Sequence, residues 1–137
     1  MDALALANTV AVARGRPVDG LDPALGLTEL RDAIRALFEA ATGGSAAPAG
    51  AVAAVNALAQ APQLDWNDAP GARPHLAAET AAAEAARTAV ELLAGGRLRR
   101  CGNGRCVQFF LAEGRRAYCC SACANRTRVA RHAGRVR

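Results

Sequence analysis

The stretch CGNGRCVQFFLAEGRRAYCCSACANR, residues 101–126, decides the fold. It sets four cysteines as two pairs, Cys101 with Cys106 and Cys119 with Cys123, separated by the twelve residues Val107 to Tyr118. Zn²⁺ takes thiolates at tetrahedral spacing, and structural sites close all four positions with Cys or His. The first pair encloses Gly102, Asn103 and Gly104, residue types that tolerate the left-handed backbone of a tight knuckle. The second pair, at i and i+4, suits the first turn of a helix, where both sulfurs face one way. The spacer is long enough for a short hairpin that brings both pairs to one ion. Knuckle, hairpin and terminal helix together predict a treble-clef or ribbon-like finger. Cys120 competes with Cys119 for the third position, because a two-residue gap before Cys123 suits the metal as well as a three-residue gap. Spacing alone leaves that choice open, and the thiol left over is packing or a redox-sensitive spare.

Energetics favours the metal independently. About forty residues is close to the size below which a domain needs a metal, a disulfide or a partner, and the segment from Arg97 holds few apolar residues, Leu98, Phe109, Phe110 and Leu111 chief among them. Structural zinc supplies about 10–16 kcal/mol, and contact with the preceding residues must supply more. Disulfides are the rival explanation for clustered cysteines. They belong to exported domains, and the amino terminus does not show the basic, apolar and cleavable segments of an export signal, so reduced thiols are expected.

Charge divides the 137 residues sharply. Residues 1–96 hold six Arg and eleven acids, a net of −5, whereas 97–137 hold eleven Arg and the single acid Glu113, a net of +10. The expectation is an acidic, helical N-terminal regulatory or dimerisation domain over residues 1–96 and a basic four-Cys finger over 97–137 that meets a polyanion. Lys is absent from the sequence, which fits the composition of a high-GC bacterial genome. No apolar run approaches the roughly 18 residues of a membrane span, so a cytoplasmic location without membrane contact is expected.

Along the first ninety-odd residues the expected class is mainly α, in an α+β fold. Leu4 and Leu6 open an apolar stretch, strand or helix start, that ends at Asn8-Thr9-Val10. Arg14 to Pro23 reads as a loop punctuated by Gly15, Pro17 and Gly20. Leu27, Leu30, Ile34, Leu37 and Phe38 recur at helical spacing and predict an amphipathic helix over residues 27–41, stopped by Gly43-Gly44. Pro48 begins a second helix through Val52, Val55 and Leu58 to about Gln60. Pro62 to Pro74 reads as a hairpin or turn, with Trp66 flanked by Asp65 and Asp68 as a core residue rather than a pocket wall. Leu76 to Ala94 predicts a long alanine-rich helix whose apolar face is Ala83, Ala86, Val90 and Leu93, and Gly95-Gly96 makes a hinge into the finger. His75 stands alone, and the sequence contains no phosphate-cradling loop, nucleophile elbow or His-Glu metalloprotease pattern. Four thiolates also leave zinc no open position, so no enzymatic activity is expected.

In the finger, a helix starting near Cys119 to Ser121 places Arg128, Arg131 and Arg135 at i, i+3 and i+7 as one basic stripe, widened by Arg126, Arg137 and His132. Such a stripe neutralises phosphates and can enter a major groove, with Arg115 and Arg116 in the hairpin turn adding backbone contacts. Asn125 reads adenine or braces the zinc knuckle. DNA is expected ahead of RNA, since few aromatics are available for base stacking. An RNA-binding module and a protein-interaction adaptor with purely structural zinc are the alternatives.

At Arg99-Arg100-Cys101, Cys106, Phe109-Phe110-Leu111, Arg115-Arg116, Tyr118-Cys119, Cys123 and Asn125-Arg126 the sequence resembles the CGNR-type zinc fingers of bacteria. Those fingers follow a helix-rich domain described as a stress-induced transcription regulator, whose opening Asn-Thr element resembles Leu6 to Val10 and whose Leu-Asn helix resembles Val55 to Leu58. The resemblance implies a cytoplasmic, zinc-dependent, DNA-binding regulator of stress responses. In that family an aromatic residue precedes the third ligand, which points to Tyr118 and hence to Cys119. Two departures stand out. The naming quartet appears as Cys123-Ala124-Asn125-Arg126, and the stretch from Val10 to Leu27 is short.

Overall fold

The computed structural model describes residues 1–13, 16–61, 64–65, 75–76 and 79–135. The readings of Trp66, Asp68 and Arg137 lie outside the described residues. The short helix α1, Ala3–Ala7, is started by Asp2, whose side chain accepts from the Ala5 amide at 2.8 Å, and it settles the strand-or-helix question for the opening stretch. Strands β1, Val10–Ala13, and β2, Arg16–Asp19, then pair antiparallel from Val10 opposite Asp19 to Ala13 opposite Arg16. This ribbon replaces the expected loop. Nearly all of it is exposed, so burial imposes no period-two pattern that a reader of the sequence could find.

Helix α2, Thr28–Gly43, is the expected amphipathic helix, and Gly44 ends it in the left-handed conformation with φ 71°. Arg31 on α2 is buried, and ion pairs with Asp19 and Asp32 compensate its charge, tying the ribbon to the helix. Helix α3, Ala49–Leu58, follows Pro48. Strands β3, Leu64–Asp65, and β4, His75–Leu76, pair antiparallel. His75 therefore sits in a strand, and helix α4, Ala81–Ala94, begins later than its alanine content predicts. The start is set by Thr80, whose hydroxyl accepts from the Ala83 amide at 3.1 Å. Its buried face is Ala85, Ala86 and Ala89, while Val90 stays 40% exposed, so the expected apolar face is rotated. Alanine lets α4 lie close to its neighbours and hides which side does so.

The core gathers Leu6 of α1, Ile34 and Phe38 of α2, Val55 of α3 and the α4 alanines. It also takes in Leu98 and Phe109, from strands β5, Leu98–Arg100, and β6, Phe109–Leu111, which pair antiparallel with Arg99 opposite Phe110. The expected hinge is thus a corner: Gly96 turns the chain with φ 63°, and two residues later Leu98 is 4% exposed inside the common core. The last element, α5, runs Ser121–Arg135. The described residues form helices and three two-stranded antiparallel sheets, a mainly α arrangement with a small cysteine-bearing finger.

Candidate metal centre and basic face

The first cysteine pair lies in the connection between β5 and β6, not ahead of a separate hairpin within Val107 to Tyr118. Cys101 continues β5, its amide donating to the Gln108 carbonyl at 3.0 Å. Asn103 shapes the knuckle, since its carbonyl accepts from the Cys106 amide at 2.8 Å and its side chain from the Arg105 amide at 3.1 Å. Gly102 and Gly104 are not among the positive-φ glycines. Gly102 is needed for space instead: a Cβ there would lie 2.9 Å from the Ala117 carbonyl oxygen, to which the Gly102 amide donates. That bond ties the first knuckle to the approach of the second.

Cys119 precedes α5 and Cys123 lies in its first turn, where the helix N-terminus favours negative charge. The sulfurs of Cys101, Cys106, Cys119 and Cys123 all lie within 4.8 Å of one another. Cys119 Sγ is 3.7 Å from both Cys106 Sγ and Cys123 Sγ. A tetrahedral zinc–thiolate centre with bonds of about 2.3 Å has sulfur–sulfur edges of about 3.8 Å, so the four fit one ion of that size. Cys101 and Cys123 are buried, Cys106 and Cys119 half-buried. Cys120 is exposed, with its sulfur 3.9 Å from that of Cys119 but outside the four-sulfur group. Burial pushes the Cys119 thiol up, and the Cys123 thiol up to about 11. A cation must displace those protons, since thiolates are the ligands.

The hairpin that carries the first knuckle is fastened to the helical part by groups far away in sequence. The Asn8 side chain pairs with the Phe109 backbone in both directions, accepting from its amide at 2.9 Å and donating to its carbonyl at 2.9 Å. Gln108 donates to the Val10 carbonyl at 2.6 Å, and Arg35 donates to the carbonyls of Ala7 at 2.6 Å and Val107 at 3.2 Å. Arg35 also lies over the Phe109 ring, which meets Phe38 edge-on with centroids 5.4 Å apart. Spacing assigns no role to Asn8, Arg35 or Gln108, because each partner is 28 to 101 residues away. The sequence clue was a polar Asn closing an otherwise apolar opening run.

The basic residues divide into three groups. Arg128 and Arg131 share a groove of about 430 Å³ with Tyr118, Ala124 and His132. Arg115 and Arg116 line a second groove, which also includes Tyr118 and Ala124, so the two grooves share those wall residues. Arg116 is partly committed: it lies over the Phe110 ring, donates to the Tyr118 carbonyl at 2.9 Å and also donates to the Cys119 carbonyl. It braces the second knuckle. Arg126 is exposed, yet at 100° per residue it lies about 160° around α5 from Arg128, so it does not widen the stripe. Helix α5 reaches Arg135, and each residue from Arg128 to Gly134 is exposed. Asn125 is exposed as well, and among the described residues no hydrogen bond ties its side chain to the knuckle.

No described helix is long and apolar enough to cross a membrane. No curated protein matches the chain. Residues 97–136 match the CGNR zinc finger, and residues 23–96, more than half of the length, match ABATE, described as "Putative stress-induced transcription regulator". With the four sulfurs placed for one ion consistent with Zn²⁺, the chain belongs to the ABATE family of putative stress-induced transcription regulators and carries a CGNR zinc finger.

Proposed function

We propose that the protein is a cytoplasmic, zinc-dependent regulator that binds duplex DNA through its finger and pairs through its helical N-terminal part. The observation that carries this reading is the basic surface around Tyr118 and Ala124, which line both the groove of Arg128 and Arg131 and the groove of Arg115 and Arg116. Arginines so placed neutralise successive phosphates. The exposed length of α5 from Arg128 to Gly134 leaves a helix clear of the body, and a major groove admits a helix of that kind. Zinc holds the residues of the two grooves together and does no chemistry in this account, because four thiolates fill its coordination. The family's description as a transcription regulator supports the same reading.

Titrating the zinc-loaded protein with a random-sequence duplex at rising salt tests it. With Arg115, Arg128 and Arg131 on phosphates, log affinity should fall against log salt with a slope of about −3, and the Arg128→Ala/Arg131→Ala variant should flatten it by about two units. Salt-insensitive binding, or tighter binding to single-stranded RNA, would overturn the DNA reading.

A further inference from the structure

We infer that Cys120 is an oxidation site that dismantles the metal centre: its thiol reacts with peroxide and then closes a disulfide with Cys123, taking that sulfur out of the ligand set. The inference rests on the proposed zinc-dependent reading for its consequence, and it adds a chemical control to the same finger. Among the five cysteines, Cys120 stands outside the four-sulfur group. It is also the exposed one, whereas Cys101 and Cys123 are buried and Cys106 and Cys119 half-buried. Exposure removes packing as its role and makes it the thiol that a small oxidant reaches first. It is not isolated, since its sulfur lies 3.9 Å from that of Cys119 and it shares a C-x-x-C spacing with Cys123. An accessible thiol with a second thiol at hand to resolve it is the arrangement of a redox-sensitive cysteine.

Backbone geometry selects Cys123 as the resolving residue. A disulfide spans Cα atoms about 4.4–6.8 Å apart, and neighbours such as Cys119 and Cys120 sit only about 3.8 Å apart across a trans peptide. The Cys120 carbonyl accepts from the Ala124 amide at 3.2 Å, so Cys120 and Cys123 belong to one helical turn. Residues three apart in such a turn have Cα atoms about 5 Å apart, inside the range. The chemistry balances with a peroxide as oxidant. Its O–O bond breaks, an S–O bond forms on Cys120, and water departs. The Cys123 thiolate attacks that sulfenic sulfur; the S–S bond forms, the S–O bond breaks, and the oxygen leaves as hydroxide, which a solvent proton turns into water. The Cys120 thiol and the Cys123 thiolate together give up an electron pair, and the peroxide is reduced to water. Cys101, Cys106 and Cys119 are then the sulfurs left for a metal, and Cys120 is spent in the same bond. Helix α5, exposed from Arg128 to Gly134, loses its hold at Cys123 and carries Arg128 and Arg131 away with it. The hairpin half stays in place through Asn8 and Phe109, so a thiol reductant and zinc can restore the finger.

The test adds hydrogen peroxide to the reduced, zinc-loaded protein without nucleic acid, while a chromogenic chelator reads free zinc. The wild type is expected to lose its zinc. Its tryptic peptide Ala117 to Arg126 should become lighter by a pair of hydrogens, with Cys119 the cysteine in it still open to alkylation. Dithiothreitol and zinc should return the starting protein. Cys120→Ser, a change at an exposed position, should keep its zinc over the same exposure. Zinc loss from Cys120→Ser at the wild-type rate, or a bridge that leaves Cys123 open to alkylation, overturns the inference. So does a wild type that keeps its zinc, whether or not Cys120 is oxidised. Nucleic acid takes no part in the measurement, so the two readings fail separately. A chain that releases zinc through Cys120 yet fails to bind duplex keeps this site and loses the functional reading, and a duplex-binding chain whose zinc withstands peroxide does the reverse.

Discussion

The two halves of the finger are held in opposite ways. The hairpin half sends Phe109, 1% exposed, into the same core as Ile34 and Phe38, and Asn8, Gln108 and Arg35 bond its backbone to the helical part. The helical half, α5, buries Cys123 in its first turn and from Arg128 to Gly134 exposes every residue. One half is fixed by burial and hydrogen bonds, the other by sulfur. Metal therefore joins an anchored platform to a basic helix that has little other reason to stay in place, and changes to the two halves should have different consequences.

The largest effect should come from the sulfurs. Cys123→Ser is expected to abolish stoichiometric zinc and release α5, removing a term of about 10 kcal/mol or more, while Cys101→Ser should in addition loosen the helical part that shares Leu98 and Phe109. Metal analysis and far-ultraviolet circular dichroism would check both, and full metal retention in either variant would contradict the ligand set. Acidification should act in the same direction. Thiols must lose protons to bind, so zinc affinity rises with pH and is lost as pH falls, as a competition titration with a chelator at several pH values would record.

Next in size is the anchored half. Phe109→Ala should cost about 3–5 kcal/mol as a large-to-small core change. Asn8→Ala should cost about 1–3 kcal/mol by leaving the amide and carbonyl of Phe109 without their partner. Thermal unfolding of both variants would measure this, with zinc still bound at low temperature. A similar loss of about 1–3 kcal/mol is expected for Gly102→Ala, whose new methyl meets the Ala117 carbonyl.

These contrasts also explain what could be read from the sequence. Helix α2 was legible because Leu30, Ile34, Leu37 and Phe38 repeat at helical period and the charges other than the buried Arg31 fall elsewhere. The cysteine pairs were legible because metal ligation imposes local spacing. The β1–β2 ribbon was not, since exposed strands carry no burial pattern, and the face of α4 was blurred by alanine on every side. The tie from Asn8 to Phe109 spans 101 residues and follows no local rule. Gly102 reads in the sequence as a source of backbone freedom, whereas in the structure it makes room for the Ala117 carbonyl. Arg116 and Arg126 resemble the other arginines in sequence and differ only in what surrounds them.

The smallest expected effect belongs to Cys120. Its sulfur lies 3.9 Å from that of Cys119 yet outside the group of four, so Cys120→Ser should leave one zinc per chain and an unchanged melting temperature. Loss of zinc in that variant would exchange its role with Cys119.

The most direct measurement of the central claim is zinc-edge X-ray absorption on the purified, reduced protein, paired with metal stoichiometry. One zinc per chain surrounded by four sulfurs at about 2.3 Å is the predicted result. A nitrogen or oxygen ligand in place of one sulfur, or a metal-free protein in which α5 remains folded against the hairpin, would contradict it.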